Sequence, residues 1–134
     1  MTWVPCRLSH VLVEEHNDSQ AIFLSEINGP RRLAIVIGAM EAAAINRAAK
    51  GESFARPLTH DLIVKLIEAT GRRCTAVRII SFKDGTYFAE LLLEDSSGVV
   101  TAIDCRPSDA IGVLARLNGV PLDIASEVFE ATDG

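Results

Sequence analysis

The sequence predicts a single α+β domain in which two antiparallel meanders form a mixed or antiparallel sheet with helices packed on it. Short apolar segments separated by turn residues come in two groups of three, a pattern typical of meanders. Two segments with helical spacing lie between the groups, so strands and helices do not alternate as in a βαβ fold. The predicted order is βββ-αα-βββ-α-β-α, arranged as one mixed sheet or a partly closed barrel. A length of 134 residues, 49% of them apolar, and no long linker suit one domain at 1–134 with a core over about 6–130.

The first meander occupies the N-terminal part of the chain. Apolar residues on both faces of 6–14 predict a strand that is buried on much of both sides. Further strands are predicted at Gln20–Ile27 and Leu33–Ile37. The connecting segments His16–Ser19 and Asn28–Pro30 are rich in turn-forming residues.

Two helices are predicted after this meander. Met40–Lys50 is rich in alanine, which favours a helix, and Gly51 ends it. The small alanine side chains allow close approach by another element, either within the fold or between subunits. The second helix has Thr59 as its N-cap and ends at Gly71. Its helical spacing predicts an inward stripe formed by Leu62, Ile63, Leu66, Ile67 and Thr70.

The second meander contains strands at Cys74–Phe82, Thr86–Glu94 and Val99–Cys105. Lys83-Asp-Gly85 is a strong hairpin signal between the first two, and Asp95–Gly98 supplies the next turn.

The C-terminal part is predicted to contain a helix, a strand and a second helix. The helix after Cys105 carries Ile111, Leu114 and Leu117 and ends at Asn118-Gly119. Leu122–Ile124 is predicted to be a short edge strand, and Ser126 caps a last helix through Glu130.

Composition and charge limit the function classes. The formal net charge of −5 does not fit a protein that holds nucleic acid through a broad basic face. Basic residues cluster at Arg31-Arg32, Lys65 and Arg72-Arg73, and such clusters are usually solvated loop charges. A nucleic-acid role would therefore depend on a local site or on a metal ion.

The same composition favours a cytoplasmic protein. No apolar run approaches the ~20 residues of a membrane span, and the N-terminus lacks the layout of a secretory signal. Three scattered cysteines without zinc or redox spacing point to a reduced compartment: Cys6, Cys74 and Cys105.

The strand-to-helix corner at 104–111 is the strongest candidate site. Pro107 suits the first turn of a helix, whose unpaired N–H groups attract anions. Asp104 and Asp109 flank this corner and can point at one site, where their carboxylates would hold a divalent cation. Both are therefore candidate catalytic and metal-binding residues.

Arg106 and Ser108 complete this corner as candidate phosphate-binding residues. The alternative interpretation is a well-capped helix start without a catalytic role. In that case Asp109 complements the helix dipole, Ser108 satisfies first-turn amides and Asp104 braces the turn.

Three segments of this chain together resemble the bifunctional nuclease domain family (DUF151), and the likeness runs from about Arg7 to Glu130. The segments are Arg56-Pro-Leu-Thr-His-Asp-Leu62, Asp84-Gly-Thr-Tyr-Phe-Ala-Glu-Leu91 and Asp104-Cys-Arg-Pro-Ser-Asp-Ala-Ile111. The resemblance implies a compact α+β domain that self-associates, with a homodimer as the expected form. It also implies nuclease activity on RNA and DNA.

His60 and Asp61 are further candidate catalytic residues, because phosphodiester hydrolysis needs an activated water. His60 is the best candidate general base, since an unperturbed histidine pKa of ~6.5 lies near neutrality and a helix N-terminus disfavours the protonated form. The alternative is a surface histidine beside a first-turn aspartate. Of the other histidines, His10 is predicted to be a hydrogen-bonded core residue and His16 a turn residue.

Glu41 is a candidate third carboxylate for a metal ion, together with Asp104 and Asp109, if its helix start faces the same cleft. Mg²⁺ or Mn²⁺ is the expected ion, because these cations prefer oxygen ligands. The alternative for Glu41 is a favourable first-turn charge.

Three functional hypotheses remain open at this point. The first is a small nuclease that cleaves RNA and DNA with low sequence specificity and uses a divalent metal. The second is a non-catalytic homo-oligomeric binding or regulatory module, which the net charge and the alanine-rich helix also fit. The third is a sensor for a small anion or nucleotide at the helix start of Pro107.

Overall fold

The structure, a computed structural model, describes residues 2–13 and 19–132. The predicted turn at His16–Ser19 lies largely outside the described residues. Seven strands and four helices follow one another in the described parts of the chain: β1 (Trp3–Leu12), β2 (Gln20–Glu26), β3 (Arg32–Ile37), α1 (Ala39–Ala49), α2 (Thr59–Ala69), β4 (Arg72–Lys83), β5 (Thr86–Asp95), β6 (Val100–Cys105), α3 (Pro107–Leu114), β7 (Leu122–Ala125) and α4 (Ser126–Thr132). This confirms the predicted α+β class and the order of the elements.

The strands form one mixed sheet in the order β3-β2-β1-β7-β4-β5-β6. Each meander is antiparallel within itself, as predicted. β7 joins the two meanders, because it pairs antiparallel with β1 and parallel with β4. The prediction that 122–124 is an edge strand is therefore wrong. A four-residue strand between two helices resembles an edge strand in sequence, whereas its central place in the sheet depends on partners far away in the chain.

A β-bulge in β1 changes which of its residues face the core. The bulge lies between Leu8 and His10, so that Leu8 pairs with Leu24 while Val11 pairs with Ile22. Leu8 and Val11 consequently share a face, although a regular alternation would separate them. The prediction of a core position for His10 is also wrong, since the residue is exposed and stacks on Phe23 with ring centroids 4.2 Å apart.

Helices α1, α2 and α3 lie side by side, with α3 in contact with both of the others. α3 rests on β4 and β5, α1 on β1 and β2, and α2 on β4. The close approach expected for the alanine-rich helix occurs within the fold, because Ala42 is fully buried. None of the described helices is long and apolar enough to cross a membrane.

The inward stripe of α2 is narrower than predicted. Ile67 is buried, whereas Leu62 and Leu66 are 50% and 55% exposed. These two leucines lie four residues apart and therefore form one apolar patch on the outer surface of the helix.

Candidate active site at three helix starts

The start of α3 is organised by one aspartate. Asp109 accepts a hydrogen bond from the backbone N–H of Arg106, at 3.2 Å, and thereby caps the helix. The Arg106 side chain also donates two hydrogen bonds to the Asp109 carboxylate, from Nε at 3.1 Å and from Nη2 at 2.9 Å. These interactions hold the pKa of Asp109 below its usual range, with the Arg106 side-chain hydrogen bonds as the main cause.

Arg106 connects this helix start to that of α1. Its Nη1 lies 3.7 Å from Oε1 of Glu41, which belongs to the first turn of α1. Glu41 folds back over Gly38, the N-cap of α1, so closely that a Cβ at Gly38 would overlap its carboxylate. The structure thus brings Glu41, Arg106 and Asp109 together, in a row of alternating charge at the protein surface. The Arg106 side chain is 65% exposed and is accessible to a ligand from solution.

The start of α2 repeats the pattern of α3. Asp61 accepts a hydrogen bond from the backbone N–H of Leu58 at 2.8 Å. The N-cap is therefore Leu58, and the prediction that Thr59 has this role is wrong, since the aspartate carboxylate does the capping and Thr59 is already helical. That backbone hydrogen bond is the main reason why the pKa of Asp61 lies below its usual range.

Arg116, which follows α3, joins all three helices. Its Nε donates to Oδ1 of Asp61 on α2 at 2.7 Å, and its Nη1 donates to the carbonyl oxygen of Gly112 on α3 at 2.8 Å. Its Nη2 donates to the carbonyl oxygen of Ala44 on α1 at 3.4 Å. Only 9% of this side chain is exposed. No sequence motif pointed to Arg116, because its partners lie up to 72 residues away.

His60, in the first turn of α2, lies against α3. It is 6% exposed and packs against Gly112, where a Cβ would overlap the imidazole ring. The interpretation of His60 as a surface histidine is thereby wrong. Burial lowers its pKa, and the positive charge of Arg116 adds to this effect, while Asp109 and Asp61 act in the opposite direction. The imidazole is consequently neutral at pH 7, and its buried Nδ1 has no hydrogen-bond partner in the described part of the chain.

Asp104 lies near the end of β6, outside the row of Glu41, Arg106 and Asp109. It is exposed on β6 directly opposite Glu90, whereas Cys105 is partly buried. Successive residues of a strand project to opposite faces of the sheet, so Asp104 points away from the face that its neighbour shares with the core. The structure does not bring Asp104 to Arg106 or Asp109 by any hydrogen bond or ion pair among the residues it describes. Ser108 is at the α3 start but is only 5% exposed.

Comparisons with known proteins identify the family of this chain. A model of the bifunctional nuclease domain matches residues 22–133. The chain belongs to the bifunctional nuclease domain family. An uncharacterized protein of Mycobacterium tuberculosis, found in two strains, is 38% identical over 123 residues, which cover 92% of this chain and 72% of the relative. Bifunctional nuclease 2 of Arabidopsis thaliana is 30% identical over 95 residues, which cover 69% of this chain and 28% of the plant protein.

The carboxylates of this bifunctional nuclease domain do not form a closed metal site. Within 2–13 and 19–132, no group of three or more His, Cys, Asp or Glu side chains is placed to share one ion. Glu41 and Asp109 approach the same guanidinium, and Asp61 is held by Arg116. Any metal at this site would consequently need water and substrate oxygens as further ligands, which is the usual situation for Mg²⁺.

A cleft of about 670 Å³ opens beside the α2 start of the bifunctional nuclease domain. Asp61 and Arg116 line it, together with residues of α1, α2 and the connection at 51–58. Three of the cleft residues, Arg47, Phe54 and Arg56, were not predicted as site residues, although Arg56 begins one of the segments that carry the family resemblance. The available signal was an aromatic residue two positions before an arginine, in a polar connection between two helices.

Proposed function

We propose that this protein hydrolyses phosphodiester bonds of RNA and DNA with low sequence specificity, at a site formed by the starts of α1 and α3 together with His60 of α2. The observation that carries this proposal is His60, a buried and neutral imidazole whose Nδ1 is unpaired among the described residues. The charges of Arg116 and Arg106, and those of Asp109 and Asp61, act on it electrostatically. A base that is neutral at pH 7, close to groups that bind phosphate, suits general acid–base hydrolysis.

His60 is assigned the role of general base in this proposal. A water molecule that reaches the buried Nδ1 would supply the hydrogen bond that the described residues leave unmade. The low pKa of His60 keeps it ready to accept a proton at neutral pH. Asp61 and Arg116 serve as positioning residues, since they hold the start of α2 against α3.

Arg106 is assigned the role of binding a phosphate oxygen. Its guanidinium is the exposed member of the row Glu41–Arg106–Asp109, and arginine binds phosphate through two parallel hydrogen bonds. When the Arg106 side chain binds phosphate, Glu41 loses its ion pair, while Asp109 retains the hydrogen bond from the backbone N–H of Arg106. Glu41 and Asp109 are the carboxylates that would hold Mg²⁺ or Mn²⁺ in this proposal, and such an ion would stabilise the charge that develops on the phosphate.

Cleavage of fluorescent single-stranded RNA and DNA tests the proposal, with Mg²⁺, Mn²⁺ or EDTA in separate reactions. We expect His60→Gln to lower kcat at least about 100-fold, as for the loss of a general base, and Arg106→Gln to lower it about as much. Asp84→Asn, in the β4–β5 hairpin, is the matched control and should leave cleavage unchanged. Unfolding in urea should show that every variant is folded.

The pH dependence gives a second test of the role of His60. Cleavage should persist below pH ~6.5 and decrease as the pH falls through the lowered pKa of His60, because a protonated imidazole cannot accept a proton. Wild-type protein without cleavage under any ionic condition would overturn the proposal. Full activity of His60→Gln would show that His60 is not the general base. Loss of activity in Asp104→Asn would favour the site at 104–111 that the sequence predicts.

A non-catalytic homo-oligomeric module is the second candidate function, and the exposed pair Leu62 and Leu66 favours it. We also propose that the protein is a homodimer. We further propose that it is cytoplasmic, in keeping with its three free cysteines. Light scattering of wild-type protein and of Leu62→Ser/Leu66→Ser tests this interface. A dimer that these substitutions dissociate, combined with the absence of any cleavage, would select the second candidate.

A further inference from the structure

The cleft beside the α2 start carries a local surplus of positive charge on a chain whose net charge is −5. Its basic residues outnumber its acidic ones by four to three, the basic ones being Arg47, Arg56, Lys65 and Arg116 and the acidic ones Glu52, Asp61 and Glu68. Arg116 and Asp61 neutralise one another at 2.7 Å. Arg47, Arg56 and Lys65 form no ion pair with a carboxylate of the residues that the structure describes. Unpaired cations along a cleft of this kind are suited to phosphate groups.

Phe54 adds an aromatic surface to the same cleft. It is 47% exposed, although it lies in a polar connection, and the guanidinium carbon of Arg47 is 5.5 Å from its ring centroid. An exposed aromatic ring with a neighbouring arginine is the arrangement on which an unpaired nucleobase stacks. A base inside a duplex has both faces covered by its neighbours and offers no such surface.

We propose that this cleft is a subsite for an unpaired nucleotide of a single-stranded nucleic acid. The base stacks on Phe54, and the flanking phosphates contact Arg47, Arg56 and Lys65. A volume of about 670 Å³ accommodates a nucleotide with its water shell. The inference rests on the proposed function for the identity of the ligand, because Asp61 and Arg116 line the cleft and also hold the start of α2 beside His60.

Binding measured in the absence of cleavage tests the stacking part. The probe is a fluorescein-labelled single-stranded 12-nucleotide DNA, followed by fluorescence anisotropy in EDTA, with its length checked on a gel after each titration. We expect Phe54→Leu to raise the Kd about tenfold, within the range for the loss of one base–aromatic stack. Phe54→Trp should restore binding, since it replaces the aromatic face. A duplex of the same length should bind more weakly than the single strand.

Phe88→Leu is the matched control, because Phe88 is an exposed phenylalanine on β5 and does not line the cleft. It should leave the Kd unchanged. An equal effect of Phe54→Leu and Phe88→Leu would overturn the stacking part, as would equal affinity for single strand and duplex.

The salt dependence of binding tests the phosphate contacts. Each phosphate contact contributes about −0.7 to the slope of log K against log salt concentration for a single strand. Arg56→Gln and Lys65→Gln should each reduce the magnitude of the slope by about that amount. Lys83→Gln, outside the cleft, should leave it unchanged. Slopes that do not change in the cleft variants would overturn this part of the inference.

The outcomes separate this inference from the proposed function. Wild-type protein that binds single strands through Phe54 and Arg56 but does not cleave them would support the subsite and overturn the hydrolase. Protein that cleaves normally when Phe54 and Arg56 are replaced would overturn the subsite and leave the hydrolase in place. Absence of single-strand binding by the wild type would overturn the subsite.

Discussion

The starts of α2 and α3 share one local pattern and differ in their surroundings. In each, an aspartate in the first turn accepts the backbone N–H of the residue before the helix, and an arginine binds the same carboxylate. At α3 the arginine is the adjacent Arg106, and its side chain is 65% exposed. At α2 it is the distant Arg116, with a side chain that is 9% exposed and bonded to three helices. The same aspartate–arginine pair therefore leaves an accessible cation at the start of α3, whereas at the start of α2 it holds three helices together.

The largest expected difference between the two starts concerns stability. Arg116→Leu should lower the free energy of unfolding by about 3 kcal/mol, because removal of one partner leaves buried polar groups unpaired. Arg106→Leu should change it by less than about 1 kcal/mol, since exposed ion pairs contribute little. Urea unfolding of both variants measures the difference. Equal losses of unfolding free energy in the two variants would show that the two arginines contribute equally to stability.

The contact between His60 and Gly112 should produce the next largest effect. Gly112→Ala should lower the free energy of unfolding by about 2 kcal/mol, because the added methyl group overlaps the imidazole in a packed interior. In the double variant with His60→Ala, the same methyl group should fit the space left by the ring. A double-mutant cycle checks this, and simple additivity of the two losses would contradict the predicted packing.

The two capping aspartates should differ in the same direction as the two arginines. Asp109→Ala should cost about 1 kcal/mol of unfolding free energy, the usual value for the loss of a helix cap. Asp61→Ala should cost roughly 2 kcal/mol, since it also leaves the buried guanidinium of Arg116 without its carboxylate. Thermal and urea unfolding of both variants provide the comparison. A larger loss of unfolding free energy in Asp109→Ala than in Asp61→Ala would contradict the assignment of the structural role to the start of α2.

The smallest expected effect is a pH dependence that comes from His60. Burial lowers its pKa in the folded state, so below pH ~6.5 the unfolded chain binds a proton that the folded protein does not. Stability is therefore fully present above that pH and decreases as the pH falls toward the folded-state pKa. Urea unfolding between pH 7 and pH 5 should show this slope, and His60→Gln should reduce it. A slope of the same size in the variant would place the titrating group elsewhere.

Local properties of the chain were sufficient to predict its elements and much of the α3 corner. Pro107, Arg106 and Asp109 are close in sequence, and helix capping depends on just such short separations. The position of Glu41 beside this corner was predicted as an option, and the ion pair with Arg106 brings it there.

The remaining parts of the site depend on pairing between distant segments. Asp104 and Asp109 are close in sequence, but only the register of β6 with β5, which places Asp104 opposite Glu90, shows which face of the sheet Asp104 occupies. The burial of His60 follows from Gly112, and the charge beside it comes from Arg116. Both partners are more than 50 residues away, beyond the reach of any periodicity.

The sequence by itself determined the α+β class, the order of eleven elements, the local chemistry of the capped helix starts and the family of this chain. These features depend on side-chain period, turn residues and short motifs, which act over a few residues. Tertiary structure alone decided that β7 lies at the centre of the sheet, that His60 is buried and neutral, and that a basic cleft with an exposed aromatic ring opens beside it. Such properties arise because burial and charge pairing depend on which distant surfaces meet, and a linear pattern does not contain that information.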